Sequence, residues 1–376
     1  MVSMKSNTRA EDGKRRIAVV GPMPPSKSGI ARHTASVAQA LEARGDAEVR
    51  VWSFYRQYPR LLFPGEAEES EDFAQNLALS TRTIGGTAPL SWHRTIREIA
   101  AFGPNDLVMP AWTFFLAPAL GCIARALRRR GSRCTMIVHN VSDHEGAAWK
   151  DRLMTYQLVQ ADQFLTHNAA LRDTLQAQFP GRPVHVFPHP VFSDYPEPTG
   201  ALARDWPLEL LFFGLVRPYK GLDILIDAFA LSGRTDARLT IVGEFWAGLK
   251  DTRDKIAALR VKDRIELVPR FVGDAEAAEF FARADAVVLP YRSVTGSGVI
   301  PTAYRYGRAV VASDLPGLAD VVDHGKTGWL VPSGDVEALA SCIRNLERTQ
   351  AGHAGNRARA YGETLTWERF VVPVWR

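Results

Sequence analysis

The chain has 376 residues and a mass of 41.6 kDa, too long for one ordinary core and suited to two domains. Hydrophobic residues make up 46% and charged residues 23%, which excludes a disordered or fibrous chain. A net charge of +5 and a pI near 9.1 suit an anionic ligand or surface, but are too small to argue for nucleic acid.

Residues 1–13 read as a flexible tail, polar and basic, with no apolar core of the kind a signal peptide needs. Residues 16–20 are a short apolar run ending in Gly21-Pro22, a buried strand entering a loop. A helix is predicted over 30–44 and a strand over 49–54. Strand-like runs recur at 106–109, 135–138, 163–165 and 184–187, with helices at 151–160 and 169–179 among them. The longest apolar run, 111–124, is interrupted by Pro118 and is shorter than the roughly 20 residues a membrane span needs. Residues 188–207 carry five prolines, Pro188, Pro190, Pro196, Pro198 and Pro207, which is linker chemistry. The alternation then restarts: strands at 208–213, 239–242, 265–268, 286–289 and 309–312, and helices at 222–231, 250–259, 275–284 and 300–306. Asp274 is the expected cap of the third of these helices. Strands alternating with helices predict α/β architecture with parallel sheets covered on both faces. Two such domains, 14–190 and 208–352, are expected around a hinge at 191–207. Ligands in such sheets bind at the carboxyl ends of strands, and with two domains the default site is the cleft between them.

Cys122, Cys134 and Cys342 have no paired spacing, so neither a disulfide framework nor a structural zinc is expected. A reducing, cytoplasmic setting is the default, with the protein soluble or at most peripheral at the inner membrane face. The basic run Arg125, Arg128, Arg129, Arg130 and Arg133 reads either as an exposed helix end or as a contact for anionic lipid. Glu66, Glu68, Glu69, Glu71 and Asp72 read as a solvated loop.

The loops after strands carry the chemistry. Pro24-Pro25-Ser26-Lys27-Ser28-Gly29-Ile30 leads into the first helix. Its backbone amides suit an anion, and Gly29 admits close approach, although an ordinary turn explains it equally well. It lacks both GxGxxG and GxxxxGK[ST], which disfavours simple dinucleotide or P-loop readings. Phe213-Gly214-Leu215-Val216-Arg217-Pro218-Tyr219-Lys220-Gly221 places two cations, Arg217 and Lys220, at a helix start. The dipole opposes cations there, so the placement makes sense with a diphosphate between them. Gly296, Ser297, Gly298 and Val299 form a small-residue loop before another helix, by itself a plain turn, but facing the Arg217/Lys220 loop across the same sheet edge the second half of one phosphate site. His139 and Asn140, followed by His144 and Glu145, close a predicted strand and can bind sugar hydroxyls or move a proton. A hydrogen-bonded loop histidine is the bland alternative, and no metal-ligand spacing is present. The aromatic stretch 54–58 serves a sugar face or the core. Arg270 and Phe271 stand, by position alone, where a base could stack.

As a set, GxxPPxxSGIAxHT, IVHNxxxHE, FPHPV, FFGLVRPYKG, VGEFW, LPYRSxTGSGVIPTAY and AVVASDLPGLADVVxxGxTGWLVP resemble the retaining glycosyltransferases of family 4 with the two-domain GT-B architecture. The resemblance runs from about Arg16 to the final helix. It implies that the C-terminal domain holds a nucleotide diphosphate sugar and the N-terminal domain the acceptor, with residues 353–376 returning as a helix to the N-terminal domain. By position, Gly29 faces the donor diphosphate, Lys220 matches the family's phosphate-binding lysine, and His139 the histidine that contacts the donor sugar. Ser28, Asn140, His144 and Glu145 fall among acceptor or sugar contacts. The family's arginine is replaced by Leu215, so Arg217 has to supply that charge. The family's two glutamates are missing: their positions fall near Val294 and at Thr302, which can still offer a hydroxyl to a ribose. The expected reaction is hexosyl transfer from a UDP- or GDP-sugar to a hydroxyl of a lipid-linked sugar, a polysaccharide precursor or a small natural product. Retention of configuration is expected, with no metal or other cofactor. The rival readings are a non-catalytic sugar-nucleotide or glycan-binding protein, and an epimerase or phosphorylase of the same architecture.

Overall fold

The computed structural model describes residues 14–26, 28–58, 80–141 and 148–375. The tail 1–13, Lys27, the acidic stretch 66–72, His144 and Glu145 lie outside them. The chain divides into two compact units: Met1–Thr166, Thr174–His185 and Val371–Arg376 form unit 1, and His167–Asp173 with Val186–Phe370 form unit 2.

Unit 1 is built on β1 (Arg15–Val20), β2 (Ala47–Arg56), β3 (Ser80–Gly85), β4 (Asp106–Ala111), β5 (Arg133–Val138), β6 (Gln163–Thr166) and β7 (Val184–Val186), ordered β3-β2-β1-β4-β5-β6-β7. Pairing from β3 through β6 is parallel. Helices α1 (Gly29–Ala43), α2 (Pro89–Phe102), α3 (Ala117–Arg128), α4 (Ala148–Leu158) and α5 (Ala169–Gln178) connect the strands. Strands β4 and β5 are nearly all buried, as strands covered on both faces must be.

Unit 2 contains β8 (Leu208–Phe213), β9 (Ala237–Val242), β10 (Ile265–Val268), β11 (Ala286–Leu289), β12 (Ala309–Ser313) and β13 (Gly328–Val331), ordered β10-β9-β8-β11-β12-β13. Every pairing is parallel. The period of two is explicit in the core. Leu208, Leu210 and Phe212 of β8, with Ala309 and Val311 of β12, enter one apolar cluster. Leu211, Val310 and Ala312 enter the cluster on the other face. Glu209, 1% exposed, is tolerated inside β8 because Arg238 grips both its oxygens at 2.9 and 3.0 Å. Helices α6 (Leu222–Leu231), α7 (Leu249–Ala258), α8 (Asp274–Arg283), α9 (Val299–Arg305), α10 (Pro316–Ala319), α11 (Val336–Asn345), α12 (Arg348–Glu363) and α13 (Trp367–Phe370) complete the unit. Asp274 is the first residue of α8 and Gly273 its cap.

In each unit the strand order reverses once, between β1 and β4 and between β8 and β11. Those reversals open a crevice at the strands' carboxyl ends, where ligands bind in such sheets.

Two boundaries differ from the sequence-based expectation. The proline-rich stretch 191–207 is packed on unit 2 throughout. Prolines cannot donate, but the carbonyls of this stretch accept: Tyr306 Oη donates to Pro196 O at 2.8 Å and Trp367 Nε1 to Val191 O at 3.0 Å. The Glu279 carboxylate accepts from the amides of Thr199, Gly200 and Ala201. After the short excursion of His167–Asp173, the chain passes from unit 1 to the main body of unit 2 at His185–Val186. Helix α12 also packs on unit 2, so tightly that a β-carbon on Gly355 would stand 2.1 Å from Gly307 O. Only Val371–Arg376 belongs with unit 1, where Arg15 pairs with Asp106 and donates to the carbonyls of Val374 (3.2 Å) and Trp375 (3.0 Å).

No helix among the described residues is long and apolar enough to cross a membrane. In the basic run, Arg128 pairs with Asp162, Arg133 donates to Gln163 Oε1 at 2.7 Å and Arg130 to Ala126 O at 2.8 Å. Arg133 opens β5 and so belongs to a strand rather than to the helix end expected of the run.

Candidate functional site

In unit 2 the site grows from the loops after β8 and β11, the two strands flanking the reversal. Gly214 follows β8 at φ 103°, a conformation that favours glycine. Its amide donates to Val242 O at 2.9 Å. A short 3-10 turn, Pro218–Lys220, follows and ends at Gly221, φ 63°. Lys220 is only 9% exposed, with its Nζ 5.7 Å from the centre of the Tyr291 ring. A β-carbon placed on Gly214 would lie 3.1 Å from Lys220 Nζ and 3.9 Å from Val299 Cγ2. Lys220, Gly214 and the start of α9 thus converge on one point.

Burial, and then the neighbouring Arg217 charge, lower the Lys220 pKa from 10.5 to about 8. Among the described residues no carboxylate counters its ammonium, and none figures among the causes of the shift. A buried cation without a counter-charge is unfavourable, and an anion at this point relieves it. Arg217 is near enough to act on Lys220, yet its guanidinium lies 4.6 Å above the Trp246 ring, a cation–π contact. The two cations therefore stand in different settings: one buried by Tyr291, the other stacked on an aromatic face.

The second wall is the turn after β11. Tyr291, 1% exposed, places its hydroxyl 3.4 Å from Ser297 Oγ, and Val299 N donates to that same Oγ at 3.3 Å. Gly296 and Gly298 are exposed, and a β-carbon on either would meet nothing within 4 Å. This open backbone can face a ligand directly. Arg292 stitches the two loops together. Its amide donates to Tyr219 O at 2.7 Å, its guanidinium to Pro218 O at 2.9 Å, and a fork to Asp223 at 2.8 and 2.6 Å.

Two expected nucleoside contacts have local partners. Thr302 is 3% exposed and donates its hydroxyl to Gly298 O at 3.1 Å, the usual back-bond of a helical threonine, so it offers no hydroxyl to a ribose. Arg270 is exposed and forked onto Glu276 at 2.8 and 2.5 Å, a surface ion pair of little strength. Phe271 is half-buried in the same loop after β10, the edge strand.

In unit 1 the first loop behaves as a helix start. Ser28 caps α1 by accepting from Ala31 N at 3.1 Å, so its hydroxyl has a structural role. Gly29 is exposed with open space at its Cα. His139 follows β5, its amide donating to Ala111 O at 2.9 Å. Its ring packs edge-on at 4.6 Å against His33, a buried residue of α1. Asn140 Nδ2 donates to Trp112 O at 3.5 Å. His144 and Glu145 lie outside the described residues.

Sequence reasoning gave no role to His33, Gly214, Trp246, Tyr291 or Arg292, although each lies within a motif quoted for the family resemblance.

Residues 207–348 match the family Glycosyl transferases group 1, and residues 27–194 match Glycosyltransferase Family 4. A GDP-mannose:glycolipid 4-beta-D-mannosyltransferase of Xanthomonas campestris pv. campestris is 26% identical over 205 residues, 54% of this chain and 56% of that protein. A D-inositol 3-phosphate glycosyltransferase of Pseudarthrobacter chlorophenolicus is 31% identical over 242 residues, 61% of this chain and 56% of that protein. The chain thus spans little more than half the length of these relatives. Among solved structures, Anabaena HepE in complex with UDP and glucose superposes with a TM-score of 0.73 at 17% identity, covering 96% of this chain and 98% of that one.

Proposed function

The chain belongs to the family 4 glycosyltransferases of GT-B type, and from that premise we propose that unit 2 binds a nucleotide diphosphate sugar whose hexosyl group is transferred to an acceptor hydroxyl with retention of configuration. The observation that carries this reading is the buried Lys220 ammonium, lacking a carboxylate partner among the described residues and set beside the open backbone of Gly214 and the 296–299 turn. Cleaving the glycosyl–phosphate bond places negative charge on the leaving diphosphate. Lys220, from its buried position, and the amides of Gly296–Val299 stabilise that charge as it develops. The acceptor oxygen bonds to the anomeric carbon on the face the phosphate leaves, and its proton passes to the departing phosphate oxygen. With a cation and amides neutralising the diphosphate, the step needs no metal. In unit 1, His139 and Asn140 are the polar groups offered for sugar hydroxyls. UDP- and GDP-sugars are the donors to test, because named relatives and neighbours carry both nucleotides.

A thermal-shift series with UDP, GDP, ADP and their sugars tests the reading. Ligand at about 100 times its Kd adds ~2.7 kcal/mol to the folded state, a rise on the order of 5 °C for a domain of this size. No rise with any nucleoside diphosphate sinks the donor assignment. A non-catalytic sugar-nucleotide-binding protein is the second reading, favoured by the inward-turned Thr302 hydroxyl. Transfer or slow hydrolysis of any nucleotide sugar excludes it.

A pH dependence follows from Lys220. Its pKa is about 8 in the folded protein and 10.5 ordinarily, so between these values the unfolded chain holds a proton that the folded one has lost. Stability without ligand therefore rises with pH through that window. Diphosphate binding requires the charged form, so affinity falls above pH 8, by up to about tenfold per pH unit. Calorimetry in two buffers of different ionisation heat should show proton uptake on binding at pH 8.5. A flat profile to pH 9.5 contradicts the role given to Lys220.

A further inference from the structure

We propose that Asn168 is a positioning residue for the 295–299 turn, holding through one donated hydrogen bond the backbone that grips the diphosphate. The proposal rests on the donor reading of unit 2.

Asn168 is 2% exposed, and the two ends of its amide do different work. Oδ1 accepts from Leu171 N at 2.8 Å, which caps α5. Nδ2 donates to the Thr295 carbonyl, 127 residues away in the chain. The next amide, Ala169 N, donates to the Asp320 carboxylate at 2.9 Å, anchoring the segment beside α10. The Thr295 carbonyl also lies against Gly317 of α10. A β-carbon there would stand 2.6 Å from Thr295 O and 3.1 Å from Gly296 N. The Thr295 peptide is thus held by a donor and set against a glycine that cannot be larger.

Beyond that peptide the turn is held by the Ser297 hydroxyl, set between Tyr291 Oη and Val299 N, and by Thr302, which donates to Gly298 O. A small pocket lined by Asn168, Gly317, His189 and Tyr304 adjoins Gly296 and Ser297. Glycines at 296 and 298 keep wide backbone freedom. A fixed carbonyl at the start of the turn therefore contributes to where the amides of Gly296–Val299 point. Small misplacement of such groups is expensive for the chemistry, up to about 100-fold per ångström. The segment that supplies Asn168 belongs to unit 2, although in the chain it continues directly from β6 of unit 1.

Two variants test this. Asn168→Ser keeps a good cap for α5 but is too short to reach Thr295. Gly317→Ala leaves Asn168 in place and displaces the same carbonyl by the crowding of a new β-carbon. Each is measured for UDP and GDP binding by calorimetry, for donor and acceptor kinetics, for melting temperature, and for amide exchange at 295–300. Both variants should bind the nucleoside diphosphate about tenfold more weakly or worse. The donor kcat/KM falls at least as far, the acceptor KM stays within about twofold, and exchange at Gly296–Val299 rises. Wild-type donor kinetics and exchange in Asn168→Ser overturn the proposal. So does a loss shared equally by donor and acceptor that follows the melting temperature. If the wild-type chain binds no nucleoside diphosphate, the donor reading itself has failed. The exchange of 295–300 then decides alone whether Asn168 holds the turn.

Discussion

Lys220→Met should lower turnover by at least about 100-fold, the scale seen when one transition-state donor is lost, while leaving the melting temperature unchanged or raised. The two signs together are the diagnostic. The Lys220 side chain is buried, its charge opposed by desolvation and by Arg217, with no carboxylate to answer it among the described residues. A buried charge without a partner destabilises the protein that holds it, and an apolar group of similar length and volume removes that penalty. A residue kept for stability shows the reverse: lost stability and little change in chemistry. The pH slope of nucleotide binding should vanish in the same variant, because no other group in the 214–221 loop has its pKa brought near 8. Turnover within threefold of wild type would remove Lys220 from the reaction, and the proposed donor site with it. Arg217 makes a useful contrast. Its guanidinium is stacked on Trp246, so Arg217→Ala should also loosen the 243–248 loop, and its effect on turnover is not a clean reading of charge.

Gly221→Ala is expected to cost unit 2 about 3 kcal/mol or more and to abolish donor binding. Two causes add. The residue sits at φ 63°, where a β-carbon costs roughly 1–2 kcal/mol. That carbon would also stand 2.0 Å from the Pro290 carbonyl oxygen and 3.3 Å from Ile224 Cδ1. A backbone oxygen cannot swing aside as a side chain can, so the loop must move, carrying Lys220 away from Gly214 and stretching the Arg292–Tyr219 contact. Gly233→Ala separates the two causes, since Gly233 has φ 69° but open space where its β-carbon would go. It should lose only the conformational part, about 1 kcal/mol or 2–4 °C, and keep full activity. Equal melting temperatures for the two variants would show that the Gly221–Pro290 approach is not what holds this loop.

Both predictions involve residues that pattern reading singled out, and the reasons differ. Lys220 was legible because a cation at a helix start is out of place unless an anion answers it. Gly221 closes the same motif; that the loops after β8 and β11 face one another was expected from strand and loop order, but the close approach of Gly221 to Pro290 O was not. The expected partnership of Arg217 and Lys220 is looser than a clamp, because Trp246, from the loop after β9, captures the guanidinium. Thr302 was assigned by position in a motif and Arg270 by position in the chain alone. Thr302 back-bonds to Gly298 O inside its helix, and Arg270 forks onto Glu276 at the surface, neither of which a position reveals. The strands that went unread, β3 and β13, have partly exposed burial patterns at sheet edges. β3 (Ser80–Gly85) is largely polar and carries no apolar run, while β13 (Gly328–Val331) is apolar but only four residues long, at the lower limit of the length that marks a strand.

Periodicity and composition sufficed for the α/β class, the two parallel-sheet units, most buried strands and the loops in which to look for chemistry. Those properties arise from contacts between near neighbours in the chain and from the demand that apolar faces be buried, so they are written locally. Folding in three dimensions decided the rest: the desolvation that lowers the Lys220 pKa, the meeting of Gly214 with Val299, the stitching by Arg292, the transfer of His167–Asp173 and α12 to unit 2, and the bond from Asn168 to Thr295. Each depends on groups many residues apart that only the strand order of the sheets brings within hydrogen-bond reach, and no local pattern encodes that order.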